Sequence, residues 1–225
     1  PEFDIFASMD PAKEVGGDFY DFFFIDAHNL CFLIADVAGK GVPAALYMMV
    51  AKTLLKSEGQ RLGEPDQILG YVNNVLATDN DSCMFATVFC GILDVRTGEV
   101  RFANAGHNPP LLIDSQKIRY LNLKPGFVLG PMQDMTYTTE RLTLQPGDTL
   151  FMYTDGVTEA TNSADELYGE EQLLQALQRV PDLELTDMIH YIRAEVTRHA
   201  NGAPQSDDVT MIAIKYRGMQ DDKKG

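Results

Sequence analysis

Cysteine is scarce: Cys31, Cys83 and Cys90 are the three in 225 residues. They form no C-x-x-C pair and leave one thiol over whatever the pairing, which argues against a secreted disulfide framework and for a reducing, cytoplasmic setting. Basic residues are also few. Lys and Arg number 18 against 33 Asp and Glu, a formal charge of −15, and such a field repels phosphate backbones and anionic bilayers, so no nucleic-acid partner is expected. No apolar run approaches the roughly 20 residues of a membrane span. A fixed-period repeat, a low-complexity tract and a Ser/Pro-rich linker are all missing, so a single domain is expected over residues 1–217, with a solvated tail at 218–225. The chain begins at Pro1 rather than Met, and the expectation is a piece of a longer protein.

Hydrophobic residues make up 45% and charged residues 23%, the proportions of a folded globular domain. The carboxylate surplus has a second meaning, because hard divalent cations need oxygen ligands that are ionised at neutral pH. Where the carboxylates fall along the chain therefore matters.

Period-2 and apolar runs predict strands near Glu2–Ala7, Asp18–Ile25, Leu30–Val37, Met84–Val95, Val100–Asn104, Leu111–Ile113, Ile118–Leu121, Arg141–Leu144, Thr149–Tyr153 and Val209–Tyr216. Links as short as Arg96-Thr97-Gly98 and Asp114-Ser115-Gln116 join antiparallel neighbours. Helical spacing predicts Pro43–Ser57, a helix after Pro65 carrying Ile68, Leu69, Val72, Val75 and Leu76, a third at Glu170–Arg179, and a fourth at Thr186–His199 with Thr186 as its cap. Strands in runs and helices in blocks define an α+β fold of two packed, mainly antiparallel sheets covered by helices.

Five short segments could carry chemistry. In Val15-Gly16-Gly17-Asp18-Phe19-Tyr20-Asp21 paired glycines let the backbone bend and present Asp18 at a strand start; an ordinary Gly-Gly turn would look the same. Ile34-Ala35-Asp36-Val37-Ala38-Gly39-Lys40-Gly41 ends an apolar strand in a carboxylate and runs through glycines into a helix N-terminus, a place for a cation and a phosphate, or simply a capping turn. It lacks the spacing of a Walker A loop. His107, in Asn104-Ala105-Gly106-His107-Asn108-Pro109-Pro110, could donate a proton or bind metal, although a lone His in a turn is more commonly a surface or capping residue. Tyr153-Thr154-Asp155-Gly156-Val157 reads either as a hairpin turn or as a strand ending in an exposed Asp. Ser206-Asp207-Asp208-Val209 puts adjacent carboxylates before the last strand. Four separate strand ends thus offer Asp, the requirement of a binuclear site for hard metals.

In this order, GGDFYD, ADVAGKGVPAAL, ANAGHNPP, YTDGVTEA and SDDVTM resemble the metal-dependent protein phosphatases of the PPM (PP2C-like) family, in its bacterial SpoIIE/RsbU branch, from about Asp10 to Tyr216. The resemblance implies an α-β-β-α sandwich holding two Mn²⁺ or Mg²⁺ ions at one edge. Asp36 matches the aspartate that bridges both metals, Val37 the backbone-carbonyl ligand, and Asp18, Asp155 and Asp207 the remaining acidic ligands; Asp21 and Asp208 lie beside better-matched carboxylates. The implied reaction is hydrolysis of phosphoserine or phosphothreonine on a protein by a metal-activated water, the substrate being a small partner-switching regulator such as a STAS-domain anti-sigma antagonist. The branch also implies a sensory, receiver or HAMP-type segment upstream, a cytoplasmic location or the cytoplasmic part of a membrane-anchored sensor, and helices beside the metals that act as a switch or a homodimer interface, here Pro43–Ser57 with Met48 and Met49. Simple core packing is the competing explanation of those methionines.

Two departures stand out. Eukaryotic-type members show A-N-x-G-D-S-R where this chain has Ala103-Asn104-Ala105-Gly106-His107-Asn108-Pro109, removing an Asp tied to a third metal, and D-G-H-A-G where it has Asp36-Val37-Ala38-Gly39-Lys40, removing a proposed acid. The leaving-group acid is left open among His107, Lys40 and a metal-bound water. Competing functions are a metallo-phosphodiesterase and a non-catalytic or autoinhibited interaction module. A calcium domain would need a D-x-[DN]-x-[DN]-G loop, which the chain does not contain.

Overall fold

The computed structural model describes residues 2–124, 126–180 and 183–219; Pro1 and most of the expected tail, residues 220–225, lie outside them. Ten strands and five helices follow one another as β1 (Phe3–Asp10), β2 (Phe19–Phe24), β3 (Asn29–Val37), α1 (Val42–Leu62), α2 (Pro65–Leu76), β4 (Ala86–Asp94), β5 (Glu99–Ala105), β6 (Leu111–Ile113), β7 (Ile118–Tyr120), β8 (Glu140–Thr143), β9 (Thr149–Tyr153), α3 (Asp155–Thr158), α4 (Gly169–Gln178), α5 (Leu185–Ala200) and β10 (Val209–Tyr216). One sheet runs β1-β10-β9-β6-β7 and the other β2-β3-β4-β5-β8, with every paired strand antiparallel.

The two sheets pack face to face. Phe32, Ile34, Phe89 and Phe102 from one meet Leu150, Met152, Ile212 and Ile214 from the other in a continuous apolar layer, as aligned sandwiches do. Alternation along β3 turns Cys31, Leu33 and Ala35 to the opposite face, where they pack with Leu55 of α1 and Ile68 and Leu69 of α2. The other sheet is covered likewise by α4 and α5 through Leu173, Leu177, Ile189 and Ile192. The result is the expected α-β-β-α sandwich. β3 reads as continuously apolar because both its faces are buried. At Gly91 on β4 any Cβ would lie 2.3 Å from the Phe32 ring, so a glycine leaves room for that aromatic in the inter-sheet layer.

Several local expectations need correction. α1 runs a turn past Ser57 because Glu58 and Gly59 are buried under Phe23 and Cys31; their polar and small character hid the apolar period, and Gly63 in the left-handed conformation ends the helix. α5 begins at Leu185 with Glu184 at the cap position, so Thr186 falls in the first turn. Asp155-Gly156 makes no hairpin, since α3 starts there. Met48 packs partly against the core, whereas Met49 is 61% exposed. Among the described residues no helix is long and apolar enough to cross a membrane.

Candidate metal centre

β3 ends at one edge of the sandwich, and its neighbour β2 begins there. Phe19 pairs with Ala35 in antiparallel register, which sets Asp18 beside Asp36 on the inter-sheet face. Asp155 opens α3 directly after β9, and Asp207 precedes β10. Each carboxylate is therefore fixed by the end of a buried strand. The structure brings all four to the same edge: Asp18 and Asp36 adjoin closely enough to share a proton, and Asp36 feels the charges of Asp155 and Asp207.

The edge is held shut by Asp208. Its Oδ2 accepts from Gly17 N at 2.8 Å and Asp18 N at 3.2 Å, and its Oδ1 accepts from Ala12 N at 2.8 Å. A Cβ on Gly16 would lie 2.1 Å from Asp208 Oδ2, and one on Gly17 would lie 2.8 Å from the Val37 carbonyl oxygen. The paired glycines are thus required here, Gly16 by Asp208 and Gly17 by the Val37 carbonyl, which lies against the turn that carries Asp18. On the other side Thr154 Oγ1 donates to Asp18 Oδ2 at 2.7 Å, joining the two sheets.

Electrostatics follow from that crowding. Burial, with Asp18 2% exposed, and the nearby charge of Asp36 raise the Asp18 carboxyl well above the ordinary carboxylate range, against the lowering pull of Thr154 and Thr210. Asp36 is raised by burial and then by Asp155 and Asp207, and Asp155 by burial, Glu159 and Asp207. Lys40 is the cation set against this cluster. Its Nζ lies 2.9 Å from Asp207 Oδ2 with the side chain 45% exposed, and that hydrogen bond raises its pKa.

Among the described residues no three Asp, Glu, His or Cys side chains gather at distances that would hold one ion; the four carboxylates influence one another through their charges instead. The donor set fits a hard divalent cation all the same. It consists of acidic oxygens at strand ends, with Lys40 the cation among the described residues that offsets their mutual repulsion and the hydroxyl of Thr210 buried near Asp18.

Two expected candidates stand elsewhere. Asp21 lies on the α1 side of β2, 3.2 Å from Lys56 Nζ, because the strand's alternation turns it away from Asp18. His107 is neither a surface nor a capping residue. It is buried between the sheets, its Nδ1 2.9 Å from Thr87 Oγ1, its N–H donating to Asn104 Oδ1 at 2.7 Å, and its Nε2 enclosed next to the Tyr153 backbone. Burial lowers its pKa to about 4, so it stays neutral and has no open path to a leaving group. Asp36 does not cap α1, whose cap position is Gly41, at φ 75°. The residues that motif reading passed over are Thr154 and Thr210; both act on Asp18, more than a hundred positions away in sequence, so only tertiary contact reveals the role.

A two-sheet sandwich with outer helices and a carboxylate-lined edge is the architecture of the PP2C-type phosphatase domains. The chain belongs to the SpoIIE family: the profile for stage II sporulation protein E matches residues 26–217. It is 32% identical over 243 residues to protein IcfG of Synechocystis sp., with 96% of this chain and 38% of that protein covered. It is 36% identical over 157 residues to the phosphoserine phosphatase RsbU of Bacillus subtilis, covering 69% of this chain and 47% of that protein. The chain thus spans less than half the length of these curated relatives. The SiaA-PP2C domain of Pseudomonas aeruginosa superposes with a TM-score of 0.84 at 23% identity, covering 94% of this chain and 85% of that one, which shows the shared fold.

Proposed function

We propose that this domain is a metal-dependent serine/threonine phosphatase that hydrolyses phosphoserine or phosphothreonine on a protein. The observation that carries the reading is that Asp18, Asp36, Asp155 and Asp207, from four separate strand ends, come near enough at the sandwich edge for their charges to act on one another. Asp36 between the two halves, Asp18, Asp155, Asp207 and the Val37 carbonyl would hold two Mn²⁺ or Mg²⁺ ions. When bound, such ions activate a water and neutralise charge on the phosphoryl oxygens.

The chain's own groups do the rest. Asp18 is buried and Asp36 half-buried beside it, and Asp208 holds the turn that orients Asp18. Lys40, protonated and half-exposed at the rim, is the group able to meet an arriving phosphoryl anion or to protonate the departing serine oxygen. His107 is enclosed and takes no part in that proton transfer.

The substrate proposed is a small phosphorylated partner-switching protein of STAS type, by likeness to the phosphoserine phosphatase RsbU. That the chain covers under half of its relatives supports a place as output domain of a longer cytoplasmic or membrane-anchored signalling protein with an upstream sensory, receiver or HAMP-type segment. The exposed stripe of Val42, Leu46, Met49 and Val50 on α1 is the face a homodimer or that upstream segment would cover.

Phosphate release from an aryl phosphate and from a phosphoserine peptide, with and without Mn²⁺, tests the reading in the wild type and in Asp155→Ala. Activity that requires Mn²⁺ and is lost in the variant supports it. Activity that survives chelator in both proteins overturns it.

A further inference from the structure

We infer that Thr154 is a positioning residue, whose hydroxyl fixes which oxygen of Asp18 faces the metal space. The inference rests on the reading of Asp18 as a metal ligand. Thr154 stands between β9 and α3, at the cap position of α3, and is fully buried. Its backbone N donates to Thr210 O at 3.0 Å, so β10 holds its main chain. Its Oγ1 accepts from Thr210 N at 3.1 Å and donates to Asp18 Oδ2 at 2.7 Å.

The first of these bonds decides the direction of the second. An oxygen that already accepts the Thr210 amide directs its own hydrogen elsewhere, and a buried hydroxyl with a carboxylate 2.7 Å away gives it to the carboxylate. A hydrogen bond to a charged acceptor is stronger and more directional than a neutral one. Asp18 Oδ2 also lies in a wall made by the opposite sheet, so it is committed to protein. Oδ1 is then the oxygen left for an ion, and Asp18 would bind one ion through that oxygen. The same hydroxyl links the sheet that supplies Asp155 and Asp207 to the sheet that supplies Asp18 and Asp36. It therefore sets the spacing of the two halves of the site as well as one ligand's orientation. Partners that orient ligating groups typically account for 10–100-fold in metal affinity.

The test is Mn²⁺ titration by calorimetry of the wild type, Thr154→Val, Thr154→Ser, Asp18→Ala and the Thr154→Val/Asp18→Ala double variant, each checked for folding by circular dichroism. Thr154→Val keeps the shape and loses the hydroxyl. It is expected to weaken Mn²⁺ binding about 10–100-fold and to raise the Mn²⁺ concentration for half-maximal phosphatase activity more than it lowers activity at saturation. Thr154→Ser is expected to bind within a few-fold of wild type, and Thr154→Val to have no further effect once Asp18 is Ala. Wild-type affinity in Thr154→Val, or equal loss in Ser and Val, overturns the inference. If Thr154→Val does not fold, the Ser variant decides, since a purely packing role predicts loss from the missing methyl. If Asp18→Ala itself leaves Mn²⁺ affinity unchanged, it is the metal-ligand reading of Asp18 that fails.

Discussion

Asp208 accepts a hydrogen bond from the backbone of Gly17 at 2.8 Å across 191 positions of sequence, and with it the last strand of the fold secures the turn that presents Asp18. Asp208 is thus a structural anion next to a site of ligand anions, its oxygens occupied by the Ala12, Gly17 and Asp18 amides.

Asp208→Ala should therefore destabilise the metal-free protein by about 3 kcal/mol, the cost of leaving buried amides without their charged acceptor. Urea unfolding in the presence of chelator measures it. A residue serving only as a metal ligand would behave oppositely, because its removal relieves like-charge repulsion and stabilises the metal-free state.

The glycines make a second prediction with its own control. A Cβ at Gly156 would lie 2.0 Å from the Asp208 carbonyl oxygen, which is backbone and has nowhere to go. Gly156→Ala should displace α3, weaken Mn²⁺ binding at least tenfold and leave the secondary structure intact. Gly70, inside α2 with nothing within 4 Å of its Cβ position, should behave in the contrary way: Gly70→Ala should gain about 0.5–1 kcal/mol from reduced backbone entropy in the unfolded chain. Thermal melts and Mn²⁺ titrations on both variants check the pair.

The sandwich was legible in the sequence wherever one side of an element faces solvent or turn residues punctuate it. Leu30–Val37, Thr149–Tyr153 and Val209–Tyr216 lie within a residue or so of β3, β9 and β10, because apolar runs bounded by Gly and Asp leave little choice. The acidic candidates stood out in the sequence because each adjoins the end of a buried strand, although Asp208 at such an end serves the backbone instead. What could not be read was direction across the sheets. Asp21 precedes a phenylalanine as Asp18 does, three places along the chain, and faces the other way. Glu58 and Gly59 interrupt the helical period of α1 while lying inside it. His107 stands in a polar Asn-Pro turn that Asn104 folds back on itself, and its ring meets Thr87 of the neighbouring strand twenty positions earlier, a contact that no local spacing encodes.

His107 gives the fold an acid limit. Its imidazole titrates at about 4 in the folded chain because it is buried, against about 6.5 when unfolded. Between these values the unfolded chain binds more protons, so stability from this group is complete above about pH 6.5 and is lost as pH falls toward 4, by about 3 kcal/mol in all. Urea midpoints at pH 7 and pH 5 should show the fall, and His107→Gln, which is neutral throughout, should flatten it.

Asp18 and Asp36 act in the opposite sense. Burial raises both, helped by the charge of Asp36 at Asp18 and by those of Asp155 and Asp207 at Asp36, so the metal-free fold retains protons that the unfolded chain has already released. Its stability from these groups is present below the ordinary carboxylate range and declines as pH rises through their elevated values. A divalent cation relieves the same repulsion by a different route, and its binding must expel whatever proton remains between the two carboxylates. Mn²⁺ should therefore raise the melting temperature more at pH 8 than at pH 6, and calorimetric titrations in buffers of different ionisation enthalpy should show proton release that shrinks as the starting pH rises. Asp36→Asn removes one charge of the pair, and in the metal-free state it should melt higher than wild type at pH 8 while binding Mn²⁺ poorly. Equal melting temperatures for the two proteins at pH 8 without metal would mean that the carboxylates do not repel one another across this edge.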